Sequence, residues 1–484
     1  MRRGGGLGLL ADGRGPAGAA GPGVRPGRAG RRGGGLGVKG VRALALEVLV
    51  RVETERAWAA PLLDARGASL SPRDRDLLRA LVKTTLRFAI RLDHVLSRHV
   101  SGGLARLDPA VRNGLRLGAA QLLLMDRIPS HAAVGESVAA VKGLSARGAG
   151  LANAVLRRVA AEESRPGRVD PPEGSRPLLR LALETSHPLW LVERWSRSLG
   201  EAAAASALRA DNADAPVDLL SDPRAGTRDE VRARLLAGGV PSEASPWAPL
   251  ALTAEAGSPV VTHPLVASGA LAVVDAAAQG LCELLPPADV VVDLAAAPGG
   301  KTRTLLARGR ARRVLALERH LGRAARLAAN LSAAGRRHEA WVVVADAARP
   351  PLRRGAFSSV LLDAPCSGTG TLRKNPEIRL RLQPEHLAGF AAVQRRLAGS
   401  ALQLLSPGGS LLWITCSLEP EENEEVRAAS RARTPDLLAV PAEKLDLPEA
   451  YRPHVRRDGL VRLPPGRTND GFSAFLLRRG ARRP

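Results

Sequence analysis

The 484-residue chain is poor in aromatics, cysteine and acid. Phe, Trp and Tyr make up only 2% of it, which argues against RNA binding built on stacked aromatic platforms. Its three cysteines, Cys282, Cys366 and Cys416, cannot build a disulfide framework, and none sits in a C-x-x-C pair. That spacing gives no reason to expect a metal site, and the cysteine usage suits a reducing cytoplasm. No run of about 18 apolar residues exists, so no membrane span is expected. Asp and Glu number 47 against 71 Lys and Arg, a formal charge of +24. Such a surplus points to a polyanionic partner, with nucleic acid ahead of an acidic membrane surface. Lysine is also scarce: Lys39, Lys83, Lys142, Lys301, Lys374 and Lys444 are all there are. Phosphate contacts would fall to Arg forks instead.

What is present reads as about three domains at roughly 100–200 residues each. Residues 1–38 are Gly, Ala, Pro and Arg, with seven arginines against Asp12, and read as a disordered basic tail. Residues 7–11 are too short and Gly-broken for a signal peptide. Residues 39–163 read as all-helical. Val41, Leu44, Val48 and Val52 fall on one helix face. Ser71-Pro72-Arg73-Asp74 and Asp108-Pro109 are helix starts, with an N-cap side chain and Pro at the first position. A Pro/Gly-rich linker follows at 164–180, then a small α+β module at 181–264. Over 265–484, short β-branched runs alternate with helical segments. The runs at 290–294, 314–317, 341–344, 360–362 and 411–414 follow the arithmetic of a doubly wound α/β sheet.

The first of these strands ends at Asp293 and runs into Leu294, Ala295, Ala296, Ala297, Pro298, Gly299, Gly300 and Lys301. A Gly-rich turn between a strand and a helix lets the backbone approach a ligand closely. It is not a Walker loop, because Ala295 stands where that motif needs Gly. Glu318 ends the second strand 25 residues after Asp293, near where a ribose-binding acid belongs. Asp346 ends the third and is placed for an adenine amino group. Three acids at the ends of successive strands suggest a nucleoside-bearing cofactor, although each alone reads more often as a solvated strand-end charge than as a ligand. Strand four leads into Asp363-Ala364-Pro365-Cys366 and strand five into Thr415-Cys416-Ser417. Cys282, inside Leu281-Cys282-Glu283-Leu284-Leu285, reads as a small buried hydrophobe. The other two sit where α/β sheets bind ligands, and a thiolate there is a strong soft nucleophile.

The set Pro298-Gly299-Gly300-Lys301-Thr302, Asp363-Ala364-Pro365-Cys366 and Thr415-Cys416-Ser417 resembles the two-cysteine RNA cytosine-C5 methyltransferases. The helical region resembles a NusB-type RNA-binding domain. That likeness runs through Leu115-Arg116-Leu117-Gly118, Ile128-Pro129-Ser130-His131 and Asn153-Ala154-Val155-Leu156-Arg157. The pairing is similar to the bacterial 16S rRNA cytosine-C5 methyltransferases of the Sun or RsmB family, over about residues 40–480. The resemblance implies a class I, Rossmann-like domain dependent on S-adenosylmethionine, behind a NusB-like domain and a small α+β module. The residues from Ala295 to Lys301 would hold the methionine part of the cofactor, Glu318 its ribose and Asp346 its adenine side. Cys416 would attack cytosine C6, Asp363 would bond the ring's N3 edge, and Cys366 would help release the product. The implied substrate is 16S rRNA or a 30S precursor, at a site like cytosine 967, with the chain acting as a monomer. Arg373 and Lys374 are expected to clamp the RNA backbone or to lie on a solvated loop.

The chain departs from the family's pattern at several positions. Ala295 stands for a Cys, Glu318 for an Asp, Leu380 for a Trp and Ser473 for a Phe, and Leu219-Leu220-Ser221-Asp222 lacks an Arg. These changes leave methyl transfer intact and bear on the RNA target. A base-amino methyltransferase would carry Asn/Asp-Pro-Pro-Tyr/Phe at the fourth strand, which is absent. A tRNA cytosine-C5 methyltransferase and a non-enzymatic NusB-like antitermination factor remain open alternatives.

Overall fold

A computed structural model describes residues 40–162 and 176–481. The tail assigned to 1–38 and most of the linker assigned to 164–180 lie outside them. The first region is helical throughout: α1 (Val41–Thr54), α2 (Ala59–Gly67), α3 (Pro72–Arg87), α4 (Ala89–Ser97), α5 (Pro109–Leu124), α6 (Ser130–Leu144) and α7 (Ala149–Glu162). The expected caps form. Ser71 Oγ accepts from the Asp74 N–H at 3.2 Å, and Asp108 accepts from Ala110 N at 2.8 Å. Leu46, Leu49, Leu78, Leu81, Leu115 and Leu156 form one buried core around α5. Gly114 and Gly118 on α5 allow this. A Cβ on the first would stand 2.1 Å from Val141 and on the second 2.5 Å from Leu156, so α6 and α7 approach as only glycine permits. Arg116, between them, pairs with Asp93 at 2.7 Å and Glu53 at 3.3 Å.

Three helices follow, α8 (Pro177–Thr185), α9 (Leu189–Leu199) and α10 (Glu201–Ala210), packed around buried Trp195. Helix α8 starts inside the stretch read as linker. A small antiparallel sheet in the order β2-β3-β1-β4 comes next, from β1 (Val217–Ser221), β2 (Ser242–Ala244), β3 (Ala251–Ala254) and β4 (Leu271–Val273). Helices α11 (Arg228–Ala237) and α12 (Pro264–Ala267) accompany it. Strand β4 lies past residue 264, so this sheet borrows from the stretch assigned to the last domain.

The large sheet begins with β5 (Ala288–Asp293), after α13 (Ala276–Leu281). Helix α14 (Gly300–Ala307) leads to β6 (Ala311–Glu318), and α15 (Leu321–Ala333) to β7 (Ala340–Val344). Then come β8 (Phe357–Asp363), α16 (Ile378–Arg381), α17 (His386–Leu404), β9 (Leu405–Thr415) and α18 (Glu424–Arg433). Strands β10 (Leu437–Ala439), β11 (Val461–Leu463) and β12 (Phe472–Arg479) close it. The order is β10-β12-β9-β8-β5-β6-β7, with β11 also on β12. Strands β5 to β9 are parallel, as the alternating pattern predicts, and β12 runs antiparallel to β9. The fold class read from the sequence is borne out, with an antiparallel edge added. On either side of β5 the chain order reverses, and ligands of open α/β sheets bind in the crevice beyond the strand ends at such a switch point.

Residues 377–381, just after the Cys366 loop, tie the large sheet to the helices. Glu377 accepts from the Ala59 N–H at 2.9 Å, and Arg381 donates to the carbonyls of Val52 and Ala57. Arg379 is 3% exposed and donates to Arg87 O at 2.8 Å, Asn212 Oδ1 at 2.7 Å and Asp211 O at 3.0 Å. Burial pushes the Asp211 carboxyl up to about 8, against the pull of that guanidinium. Each buried acceptor left without its donor costs about 1–3 kcal/mol. Arg379→Met is therefore expected to lower stability by about 3 kcal/mol, read as a fall in the urea midpoint at unchanged slope.

Candidate active site

The crevice at the switch point is built from the ends of β5, β6, β8 and β9. Asp293 closes β5 and is 1% exposed. Its Oδ2 accepts from Thr302 Oγ1 at 2.7 Å, and burial raises it to about 6. The Ala295 N–H also reaches this carboxylate, and no other group among the described residues pairs with its Oδ1. The loop beyond is pinned on three sides. Leu294 N–H donates to Leu361 O at 3.0 Å and Ala296 N–H to Leu317 O at 2.9 Å. From α15, Arg323 donates to Ala297 O at 3.0 Å and Asn330 to Pro298 O at 2.8 Å. Gly299 takes φ +107°, and a Cβ there would meet Leu327 at 2.8 Å. Gly300 packs on Val274, which brings the stretch before β5 against the turn.

Lys301 Nζ reaches the Asp363 carboxylate at the end of β8, at 2.6 Å. Burial alone would lower the ammonium's pKa, but Asp363 outweighs it and holds the lysine charged. Glu318, 4% exposed, ends β6 and accepts from the His320 N–H at 2.9 Å, with Arg323 at 3.4 Å. Asp346 follows β7 and is exposed, its Oδ1 held by the Ala348 N–H at 2.9 Å. No contact joins it to the other acids among the described residues.

Cys366 and Cys416 meet. Their sulfurs are 3.2 Å apart across the tips of β8 and β9. The two loops are stitched by Ala364 N–H to Ile414 O and Gly370 N–H to Cys416 O, both at 2.9 Å. The Cys366 thiol is pushed well above the usual cysteine range, first by its hydrogen bond with Cys416 and then by burial. Cys282 is fully buried, its thiol donating to Ala278 O at 3.4 Å.

Sequence reasoning missed the support beneath this pair. Glu422, fully buried, accepts from Ser367 N at 2.8 Å, Ser367 Oγ at 2.5 Å and Gln394 Nε2 at 3.0 Å, and from the Ser417 hydroxyl. Ser367 and Ser417 are the residues after each cysteine, so one carboxylate holds both loops. Burial raises its pKa. Among Glu419, Glu421, Glu424 and Glu425 it looks like one more solvated charge. Its only signal is position, six residues after Cys416.

The reading of Arg373 and Lys374 needs correction on both counts. Arg373 is 3% exposed and pairs with Asp470 at 2.7 Å. Lys374 pairs with Asp275 at 2.8 Å and Asp470 at 2.7 Å. Neither is a solvated loop charge, and both cations are matched by internal carboxylates. They brace the Cys366 loop against β12 and the N-terminus of α13.

A mixed seven-strand path with its ligand crevice at β5, a glycine turn into α14 and buried carboxylates ending β5 and β6 defines an S-adenosylmethionine-dependent methyltransferase domain. The residues suit that cofactor: the buried Asp293 and Glu318 carboxylates and the close backbone at Gly299 would face a cation-bearing nucleoside. Residues 284–478 match the family model described as 16S rRNA methyltransferase RsmB/F. Residues 39–161 match the NusB family, and 187–261 the ferredoxin-like domain of RsmF/B-like methyltransferases. The probable ribosomal RNA small subunit methyltransferase B of Bacillus subtilis is 30% identical, over 91% of this chain and 98% of its own. The ribosomal RNA small subunit methyltransferase B of Vibrio cholerae is 34% identical, over 83% and 92%. The chain belongs to this RsmB/F family. Among solved structures, that of PH0851 has TM-score 0.76 at 24% identity, covering 92% of this chain and 99% of that one, and shares the fold. A methyltransferase homolog protein from Pyrococcus horikoshii has TM-score 0.53 at 25% identity, covering 63% and 99%. Among the described residues no helix is long and apolar enough to cross a membrane.

Proposed function

We propose that this chain methylates cytosine C5 in 16S rRNA, at a position like cytosine 967, through a covalent bond from Cys416 to C6. The observation that carries the proposal is the 3.2 Å approach of Cys366 and Cys416 beside the cofactor crevice. S-adenosylmethionine supplies the methyl group. Ala295 to Lys301 and Glu318 would hold it, with Asp346 at the adenine side. Cys416 gives up its proton to solvent and its thiolate adds to C6. The C5–C6 electron pair moves to C5, which would take the methyl as the sulfonium's methyl–sulfur bond breaks and S-adenosylhomocysteine is left. Asp363 would hydrogen-bond the N3 edge of the ring, favouring the addition. The Lys301 ammonium beside it at 2.6 Å supplies the positive charge that offsets what the addition puts on the ring. Once the Cys416 sulfur is bonded to C6, the hydrogen bond that holds the Cys366 thiol protonated is gone. Cys366 then gives its proton to solvent, and its thiolate takes the C5 proton as the C5–C6 double bond re-forms and the Cys416–C6 bond breaks. The nucleophile lies in the Thr-Cys loop, the RNA-type arrangement, and DNA cytosine methylases use a Pro-Cys cysteine instead. The target base must leave its stack at a cost of a few kcal/mol, least in a single-stranded loop. The substrate is 16S rRNA or a 30S precursor, and the chain acts as a monomer.

The test is transfer of labelled methyl to unmodified 16S rRNA and to tRNA, with the labelled nucleoside identified. 5-Methylcytosine in 16S rRNA is expected. Label in tRNA alone would move the substrate, label on an exocyclic amine would sink the thiol mechanism, and no label would favour a binding-only protein. In the same assay, RNA affinity should fall steeply with salt, with a log–log slope of about −0.7 to −0.9 per phosphate contact. A flat response would mean that the +24 charge does not hold RNA.

A further inference from the structure

A groove of about 700 Å³ runs from the Cys366 loop to the helical domain. Its lining takes in Pro365 and Ser367, on either side of Cys366, and Arg56 and Trp58, between α1 and α2. Its floor is apolar, with Ile378, Leu382, Phe390 and Val393. The mechanism above uses none of it.

Trp58 is 51% exposed, an unusual fraction for tryptophan in a chain with so few aromatics. The Arg381 guanidinium lies over its ring, 5.4 Å from the centroid. Arg381 is fixed there by its bonds to the carbonyls of Val52 and Ala57, so both planes are held before anything binds. Arg56 next to them sits at φ +52°, a left-handed backbone that a non-glycine residue holds only at some cost. Arg56 and Arg319 line the groove, are exposed and have no ion-pair partner among the described residues. One acid, Glu385, opposes three arginines. An exposed aromatic, apolar walls and unpaired guanidinium groups are what a single strand of nucleic acid requires: a flat partner for a base and cations for its phosphates.

We infer that this groove holds the unpaired RNA next to the target cytosine, with one flanking base stacked on Trp58 and phosphates on Arg56 and Arg319. The inference rests on the RNA-methyltransferase reading and adds the surface that sets the approach of the strand. The segment tying the domains, 377–381, forms part of the same wall, so a strand bound at Trp58 lies along the chain that leads back to Cys366.

The test uses the full chain and a short fluorescein-labelled single-stranded RNA containing one cytosine, followed by anisotropy. Trp58→Leu keeps an apolar side chain without a stacking face and should weaken binding roughly ten-fold. Trp58→Tyr should recover most of it. Arg56→Glu with Arg319→Glu should weaken binding and flatten the salt slope, by about 0.7 for each phosphate no longer held. In methyl transfer to 16S rRNA, the KM for RNA should rise while kcat at saturating RNA and the affinity for S-adenosylmethionine hold. Thermal melting of each variant checks the fold. Wild-type affinity in all variants, or no binding of the oligomer by wild type, would overturn the proposal. So would a dimer of wild type that Trp58→Leu abolishes, since the groove would then seat a second copy. Methyl transfer by wild type judges the enzymatic reading separately: transfer with unaffected variants removes the groove and leaves the reaction.

Discussion

Cys416→Ala is expected to abolish methyl transfer, by about 10³-fold or more, the scale on which removing a nucleophile acts. Nothing nearby can replace it. Cys366 is 3.2 Å away, but its thiol is held protonated by Cys416 and by burial, and it stands on a different strand tip. Removing Cys416 lowers that barrier to ionisation without moving Cys366 into the attacking position. The cofactor loop is supported from β5, β6 and α15 through bonds that do not involve Cys416. S-Adenosylmethionine affinity, measured by calorimetry, should therefore stay within about two-fold, since the loop keeps every bond that shapes it. The informative comparison is with Cys366→Ala. If Cys416→Ala keeps activity and Cys366→Ala loses it, the nucleophile lies in the Pro-Cys loop and the assignment reverses.

The sequence carries the parallel half of the catalytic sheet plainly because a strand buried on both faces must be a continuous apolar run. Residues 290–294, 314–317 and 411–414 announce themselves in this way. Strands β10 and β11 have three residues each, and β12 reads Phe-Ser-Ala-Phe-Leu-Leu-Arg-Arg, with no clean alternation. Strand β12 pairs with β9, and β10 and β11 pair with β12, so none of the three is set before β9 is in place, which is tertiary information. The helical caps at Ser71 and Asp108 are local chemistry and are readable locally. The buried ions are not. Arg373 and Lys374 sit in a polar loop, and their partners, Asp275 and Asp470, lie about a hundred residues away on either side. A cation whose partner is that distant looks like one meant for solvent or phosphate. Glu422 fails to show for the same reason, because its partners belong to two loops fifty residues apart.

Cys366→Ala is expected to give the second large effect, a protein–RNA adduct that survives denaturing electrophoresis. The addition step needs only Cys416, Asp363 and the cofactor site, all intact in this variant. Release needs the C5 proton to leave so that the electron pair can re-form the C5–C6 double bond and expel the Cys416 sulfur. The Cys366 sulfur lies 3.2 Å from that of Cys416, in a loop held by Glu422 through Ser367, and is the group proposed to take that proton. Without it, elimination should slow by about 10²-fold or more, the typical share of a positioned acid or base. The methylated adduct then accumulates. Mixing the variant with 16S rRNA and S-adenosylmethionine should shift the protein band, and nuclease should return it. The double variant Cys366→Ala/Cys416→Ala should give no shift, because the bond that is trapped is the one Cys416 makes. Turnover by Cys366→Ala at the wild-type rate, with no adduct, would mean that water takes the proton and that Cys366 has another part. Glu422→Gln separates position from charge: it keeps the shape of the clamp but changes its hydrogen bonds to Ser367 and Ser417. A partial adduct there would show that release depends on where the Cys366 loop is held.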